Sequence, residues 1–345
     1  MKKTFLTIRI IVLIVLLAVA IVISVSVGSA DLSVVDSIKI LLSKIAFLNI
    51  DVSDYGNNYK TIIYDVRLPR IILSALVGAA LSMAGCAYQG VFRNPLSDPH
   101  ILGVSSGAAL FATIATILCA NISFLGLTTT GVFAFAGALI TVFFVYLVSR
   151  IGKETSVTNM LLTGTAISTM FSAIISLILV FNHDQMVKIY LWTMGSFSSA
   201  TWEKNLFTAV FVLLCGGILI ALSSKLNVLM LGDEDAKGLG MNTRRMKFII
   251  VVTASILVAA SVSVSGIIGF VGLIIPHSIR LVSGSDNRKV MPTSALLGAV
   301  FLVVCDTIAR TVASPTEIPI GIITAIFGAP YFIVLIFTSG KGVKS

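Results

Sequence analysis

"RNPLSDPHILGVSSG", residues 93–107, carries two prolines together with an Arg, an Asn, an Asp and a His, and it lies between two long apolar runs. Upstream, residues 71–92 contain no Asp, Glu, Lys or Arg; downstream, residues 99–149 run fifty-one positions without one. A helix needs about 20 residues to cross a hydrocarbon core of ~30 Å, so the first flank is one span and the second holds two. Between them the chain must turn. Pro95 and Pro99 each remove a backbone donor and push the preceding residue out of the helical region. Asn94 can bond its own following backbone, and Gly103 and Gly107 form a GxxxG that lets the next helix pack closely on a neighbour.

Extending outward, residues 10–30, 155–183, 205–224 and 318–340 are each free of Asp, Glu, Lys and Arg over about one span. Residues 248–279, with "SGIIGFVGLIIPH" inside, read as one full helix followed by a shorter, glycine-rich one, and a last helix follows Pro292 to Asp306. The expected fold is therefore all-α, a polytopic membrane protein of ten helices. Composition agrees: of 345 residues, 57% are hydrophobic and 11% charged, with mean hydropathy +1.05, far from the roughly 25% charged of a soluble domain. Lys2, Lys3 and Arg9 before an apolar stretch ending in "VGSAD" also fit a signal peptide. The apolar core, about 20 residues, exceeds the usual 7–15, which favours a first span.

Placing the N-terminus inside puts 16 of the 24 Lys and Arg on inner segments, and the short outer loops then keep Lys188, Lys204 and Arg310. This obeys the positive-inside rule, so topology and lipid headgroups account for the net charge of +9 without nucleic acid. Cys86, Cys119, Cys215 and Cys305 show no CxxC pairing and the three histidines are isolated, so no metal site is expected. No GxxxxGK[ST], HExxH or GxSxG occurs, which argues against an enzyme and against ATP hydrolysis by this chain. Nearly all charges lie outside the spans, whereas an ion-coupled secondary transporter needs buried ionisable groups. That transporter is the alternative reading, and Asp306, four residues before Arg310, reads as a local pair or a helix-end residue.

Two further segments are too particular for plain loops. In "LNVLMLGDEDAKGLGMNTRRMK", residues 226–247, Gly232 and Asp233 can start a short polar helix, acidic residues fill its first turn, and Gly238 or Gly240 can end it. Both a solvated loop and a surface presented to a cytoplasmic motor domain fit that pattern. In "DVRLPR", Arg67 and Arg70 precede a span, where headgroup anchoring and docking of an acidic soluble partner both remain open.

Taken together, "RLPR" (67–70), "GAALSMAGCAYQGVFRNPLSDPHILGVSSGA" (78–108), "LLTGTAIS" (161–168), "LWTMGSF" (191–197), "LGDEDAKGLG" (231–240), "SGIIGFVGLIIPHSIRLVSGSDNR" (265–288), "DTIAR" (306–310) and "EIPIGIITAIFGAPYF" (317–332) resemble the iron-siderophore, haem and cobalamin permeases of type II ABC importers. The resemblance covers residues 67–340, the first helix and outer loop take up 1–66, and residues 1–60 match only in character. It implies a single transmembrane permease domain over 1–345, in a bacterial cytoplasmic membrane with both termini inside. It implies as partners a second permease subunit, identical or homologous, two cytoplasmic ATPase subunits that hold the Mg-ATP, and an extracytoplasmic binding protein. No cofactor is implied in this chain. The implied cargo is a chelated iron compound, a ferric siderophore first, with haem or cobalamin as the other candidates.

By the same resemblance, Asn94 and Leu96, with Val157 and Thr158, belong to a cytoplasmic gate. Gly232, Asp233, Glu234, Ala236, Gly238, Leu239 and Gly240 match the coupling helix that sits in an ATPase cleft. Arg67, Arg70 and Arg310 match arginines that dock the binding protein. Scarce charge along the spans suits a substrate that slides through without tight sites. Independently, "NPLSDPHILG" (94–103) and "GLIIPHSIRLVSG" (272–284) share a Pro-His before an apolar face in oppositely running halves, a hint of an inverted repeat.

Overall fold

The computed structural model describes residues 2–28, 33–43, 56–118, 123–149 and 157–341. Helix α1 (Lys2–Ser26) is followed by the short α2 (Val34–Ser43), then by α3 (Asn57–Thr61), which continues through a wide π turn into α4 (Leu68–Phe92). A 3-10 turn at Pro99–Leu102 leads into α5 (Val104–Leu118). A two-stranded antiparallel hairpin, β1 (Ser123–Phe124) and β2 (Leu127–Thr128), joins α5 to α6 (Thr129–Ser149). Next come α7 (Val157–Phe181), the short α8 (Met186–Thr193), α9 (Trp202–Phe211) running through a π turn into α10 (Gly217–Ala221), and α11 (Ser223–Leu231). The small α12 (Asp233–Gly238) precedes α13 (Thr243–Ser265), α14 (Val271–Ser283), α15 (Asn287–Thr311) and α16 (Ile320–Lys341).

Among the described residues, seven helical stretches are long and apolar enough to cross a membrane: α1, α3–α4, α6, α7, α9–α10, α13 and α15. Three shorter apolar helices, α5, α14 and α16, bring the spans to ten, as the charge-free runs predict. In the same way residues 248–279 divide into a long helix and a short one, because Gly266 (φ 70) turns the chain at the end of α13.

Helix α4 is the centre of the assembly. It packs most extensively on α15 and also against α13, α14, α9 and α11, so that most of its residues are buried. Small residues make this possible. A Cβ on Gly85 would stand 1.9 Å from the Gly272 carbonyl oxygen, so α4 and α14 touch backbone to backbone. Gly85→Leu is expected to destabilise the purified protein by about 1–3 kcal/mol or more, since neither backbone can yield cheaply. A wild-type thermal midpoint in detergent would contradict this contact.

Polar groups lock the same centre. Gln89 of α4 donates to the carbonyl of Leu273 (3.0 Å), and Tyr88 and Ser255 share a bond of 2.6 Å. His100, in the turn before α5, donates from Nε2 to the Ile268 carbonyl (3.0 Å), in the break before α14. A Cβ on Gly272 would meet Pro99 at 2.5 Å. The turn that carries Pro99 and His100 therefore packs on the break before α14 and on its first turn, while Pro276 and His277, the second Pro-His pair, lie inside α14. The ten-helix architecture is consistent with an inverted repeat.

Candidate functional site

The 93–103 segment is built as its residues require. Arg93 ends α4 in the left-handed region (φ 52), and Asn94 Oδ1 accepts from the Leu96 amide at 2.9 Å, closing the turn. Asp98 accepts from the His100 amide at 2.8 Å and so caps the 3-10 turn begun by Pro99. Asn94 is exposed, and Leu96 lies beside Leu273, Ile274 and His277 of α14 and Tyr331 of α16. Thr158 is exposed in the first turn of α7; the side chain of Val157 lies outside the described residues. Among the described residues no hydrogen bond joins Thr158 to Asn94 or Leu96.

Residues 232–240 form the short helix that their composition predicts, α12, with Asp233, Glu234 and Asp235 in its first turn. Gly240, not Gly238, takes the left-handed conformation that ends it (φ 78). The Met241 amide donates to the Ala236 carbonyl (3.0 Å) and the Gly240 amide to Lys237 (2.9 Å), the Schellman pattern. Ala236 is fully buried and seats the helix, whereas Leu239 is 67% exposed, a large apolar side chain held out beside a charged helix. Gly232 is also left-handed in φ (135).

The decisive contact joins these two segments. Asp233 accepts from Arg93 Nη2 through Oδ1 (2.7 Å) and from Lys247 Nζ through Oδ2 (2.5 Å). One carboxylate thus ties the end of α4, the start of α12 and the first turns of α13. Nothing local in the sequence points to this, because Arg93 and Asp233 are 140 positions apart. A second network lies at the same end. Asn227 of α11 donates to Asp286 (2.7 Å) and accepts from the amide and side chain of Asn287 (both 2.8 Å), fastening α11 to the start of α15. The hydrogen bond from Arg288 holds the Asp286 carboxyl down at about 2, assisted by Asn227 and against the effect of partial burial.

At the opposite end the three arginines are engaged inside the chain. Arg67, 5% exposed, donates to the Val25 carbonyl at 2.6 Å. Arg70, 9% exposed, clasps the buried Asp306 through Nε (2.9 Å) and Nη2 (2.9 Å), and its Nη1 reaches Glu317 (2.7 Å). Arg310 donates to the carbonyl and hydroxyl of Ser24. Of the two readings of Asp306, its place near the end of α15 holds and the local pair with Arg310 is corrected. Its hydrogen-bonded partner is Arg70 of α4, because the α4–α15 contact brings that guanidinium across while Arg310 turns toward α1. Arg67 and Arg70 are likewise not free headgroup anchors, since their guanidinium groups are used between helices.

A match to the family model of the FecCD transport family spans residues 16–338. The cobalamin import system permease protein BtuC of Halobacterium salinarum is 43% identical over 277 residues, covering 80% of this chain and 73% of that one. The molybdate import system permease protein MolB of Haemophilus influenzae is 39% identical over 322 residues, 92% of either chain. Among solved structures, an inward-facing conformation of a metal-chelate type ABC transporter superposes with TM-score 0.82 at 35% identity, covering 95% of this chain and 98% of that one. Ten apolar helices and a match along nearly their whole length leave no support for a secondary transporter: the chain belongs to the FecCD transport family and is the multi-pass, non-catalytic permease subunit of an ABC-type importer.

Proposed function

We propose that this permease carries a metal species inward, a ferric siderophore first among the candidates and haem, cobalamin or molybdate among the others. In this reading it pairs with a second permease subunit, receives cargo from an extracytoplasmic binding protein, and is driven by two cytoplasmic ATPase subunits seated on residues 226–247. Both termini and α12 are cytoplasmic, the orientation favoured by the Lys and Arg distribution. The unit is one permease domain over 1–345, with the family core at 67–340.

The observation that carries the proposal is the carboxylate of Asp233, bonded at once to Arg93 and Lys247. Gly232 to Gly240, with Glu234, Ala236, Gly238 and Leu239 between, then form the coupling helix. ATP binding displaces it, and Arg93 passes that displacement to Asn94 and Leu96 at the gate, which Val157 and Thr158 face. The permease supplies two packings of similar free energy, and the ATPase chooses between them. Arg67, Arg70 and Arg310 act on the binding protein through their field. Three guanidinium groups stand against the two carboxylates of Asp306 and Glu317, leaving a positive surplus on the outer face.

The seating of the ATPase is tested at Gly238. A Cβ built there meets nothing within 4 Å, so Gly238→Trp has room within this chain, whereas a side chain at Gly240 would strain a left-handed residue by about 1–2 kcal/mol. Gly238→Trp is expected to fold and insert normally while losing its co-purifying ATPase subunit. Normal co-purification, followed by ATP-driven uptake at the wild-type rate in proteoliposomes, would remove residues 232–240 from the coupling role.

A further inference from the structure

A cavity of about 570 Å³ opens near the outer end, between the hairpin, the α8–α9 connection and the start of α16. Eight of its lining residues are Ser or Thr, and three are charged: Lys188, Lys204 and Glu317. Glu317 already accepts from Arg70 at 2.7 Å, so its charge is largely met. The two lysines are not met. Among the described residues no carboxylate lies within salt-bridge distance of either.

Lys204 is the unusual one. It is 6% exposed, and its ammonium donates to the Ser199 carbonyl (2.7 Å) and hydroxyl (2.8 Å), both neutral, which uses two of three donors. It also sits in the first turn of α9, capped by Thr201, where the helix dipole already presents positive charge. Burial, lack of a counter-ion and a helix N-terminus all work against a cation here. Methionine or glutamine would satisfy packing at lower cost, so a fixed positive charge facing a hydroxyl-rich cavity calls for an anion that is not part of the chain.

We propose that this cavity is an anion subsite on the path of the imported species, with Lys204 as its fixed charge and Lys188 adding to the field at its mouth. The cargo is then an anionic, oxygen-rich metal species, such as a carboxylate or catecholate ferric complex or a metal oxyanion, and not a neutral corrinoid or neutral hydroxamate complex. The inference rests on the importer reading for the word cargo, but the site itself does not depend on it. Hydroxyls around the cavity supply donors to oxygen ligands without neutralising the lysine.

The experiment uses the permease in complex with its ATPase subunits and reads the cavity directly. Ser198, exposed at the lining, is replaced by Cys, and its reaction with an anionic and a cationic methanethiosulfonate is measured against the parent chain lacking the added thiol. With each rate normalised to a free thiol, the anionic reagent is expected to react about ten-fold or more faster, the size of local counter-ion enrichment in a charged cleft. Lys204→Met should abolish that preference and Lys204→Arg restore it. Millimolar ferric citrate or molybdate should slow the reaction in the Lys204 protein, and cyanocobalamin should not. A normalised ratio near one, a ratio unchanged by Lys204→Met, or protection by cyanocobalamin equal to that by ferric citrate and molybdate overturns the inference. Failure of ATP-driven uptake in proteoliposomes would instead count against the importer reading and leave the subsite standing.

Discussion

Asp233→Ala is expected to lower ATP-driven uptake by about ten-fold, within the range of a coupling free energy of 1–3 kcal/mol, while the permease still inserts and binds its ATPase subunits. The carboxylate is one-third exposed and Arg93 somewhat more, so the pairs themselves contribute only about 0–1 kcal/mol each to stability. What the substitution removes is the mechanical link that the Arg93–Asp233 pair makes between α12 and the end of α4. ATP hydrolysis should therefore continue while uptake falls. Arg93→Ala should reproduce the effect, and the double variant should be no worse than either single one, the signature of two residues acting through one contact. Uptake and hydrolysis measured together in proteoliposomes decide it. If uptake is unchanged, Arg93–Asp233 is an ordinary surface pair.

The second large effect is at Arg70. Arg70→Glu leaves Asp306 buried without its partner and sets a third carboxylate beside Asp306 and Glu317. Removing one member of a buried pair costs about 3–5 kcal/mol, and reversal adds repulsion, so loss of folded protein is expected. The control is the pair Arg70→Met with Asp306→Leu, which removes both charges at similar volume and should recover the wild-type thermal midpoint. Ionic strength separates this structural role from docking: a buried pair is barely screened, whereas capture of an acidic partner weakens steeply with salt. An Arg70→Glu protein with a wild-type midpoint and impaired binding-protein capture would return Arg70 to direct docking.

These two sites show where sequence reasoning stops. The ten spans are legible because lipid forbids charge over about 20 residues, and that rule needs no knowledge of neighbours. Helix α12 is legible for a similar reason, since its acidic first turn and terminal glycines are local demands of the backbone. The bonds of Arg93 and Arg70 are not, because their partners lie 140 and 236 positions away. The helical i, i+4 rule offers Asp306 only Arg310 as a local partner, beside a helix-end role, and the packing of α4 on α15 gives it Arg70 instead. Lys204 is hidden differently. In the sequence it is one more positive residue in a short outer loop, and only its burial sets it apart.

The central place of α4 has a consequence for how the protein is made. Arg70 leaves the ribosome 236 residues before Asp306, and Gln89 leaves 184 residues before Leu273. At about 5–20 residues per second, Arg70 waits roughly ten to fifty seconds for its carboxylate. During that interval the second span to be synthesised carries Arg70 and Gln89 without their late partners, and an unpaired Arg is costly toward the bilayer interior. The nascent N-terminal half must therefore be held at the insertion machinery or keep Arg70 at the interface. A chain truncated before α13 would expose α4 to lipid and to quality-control proteolysis, so commitment to the folded state comes only when the last third of the protein has been delivered.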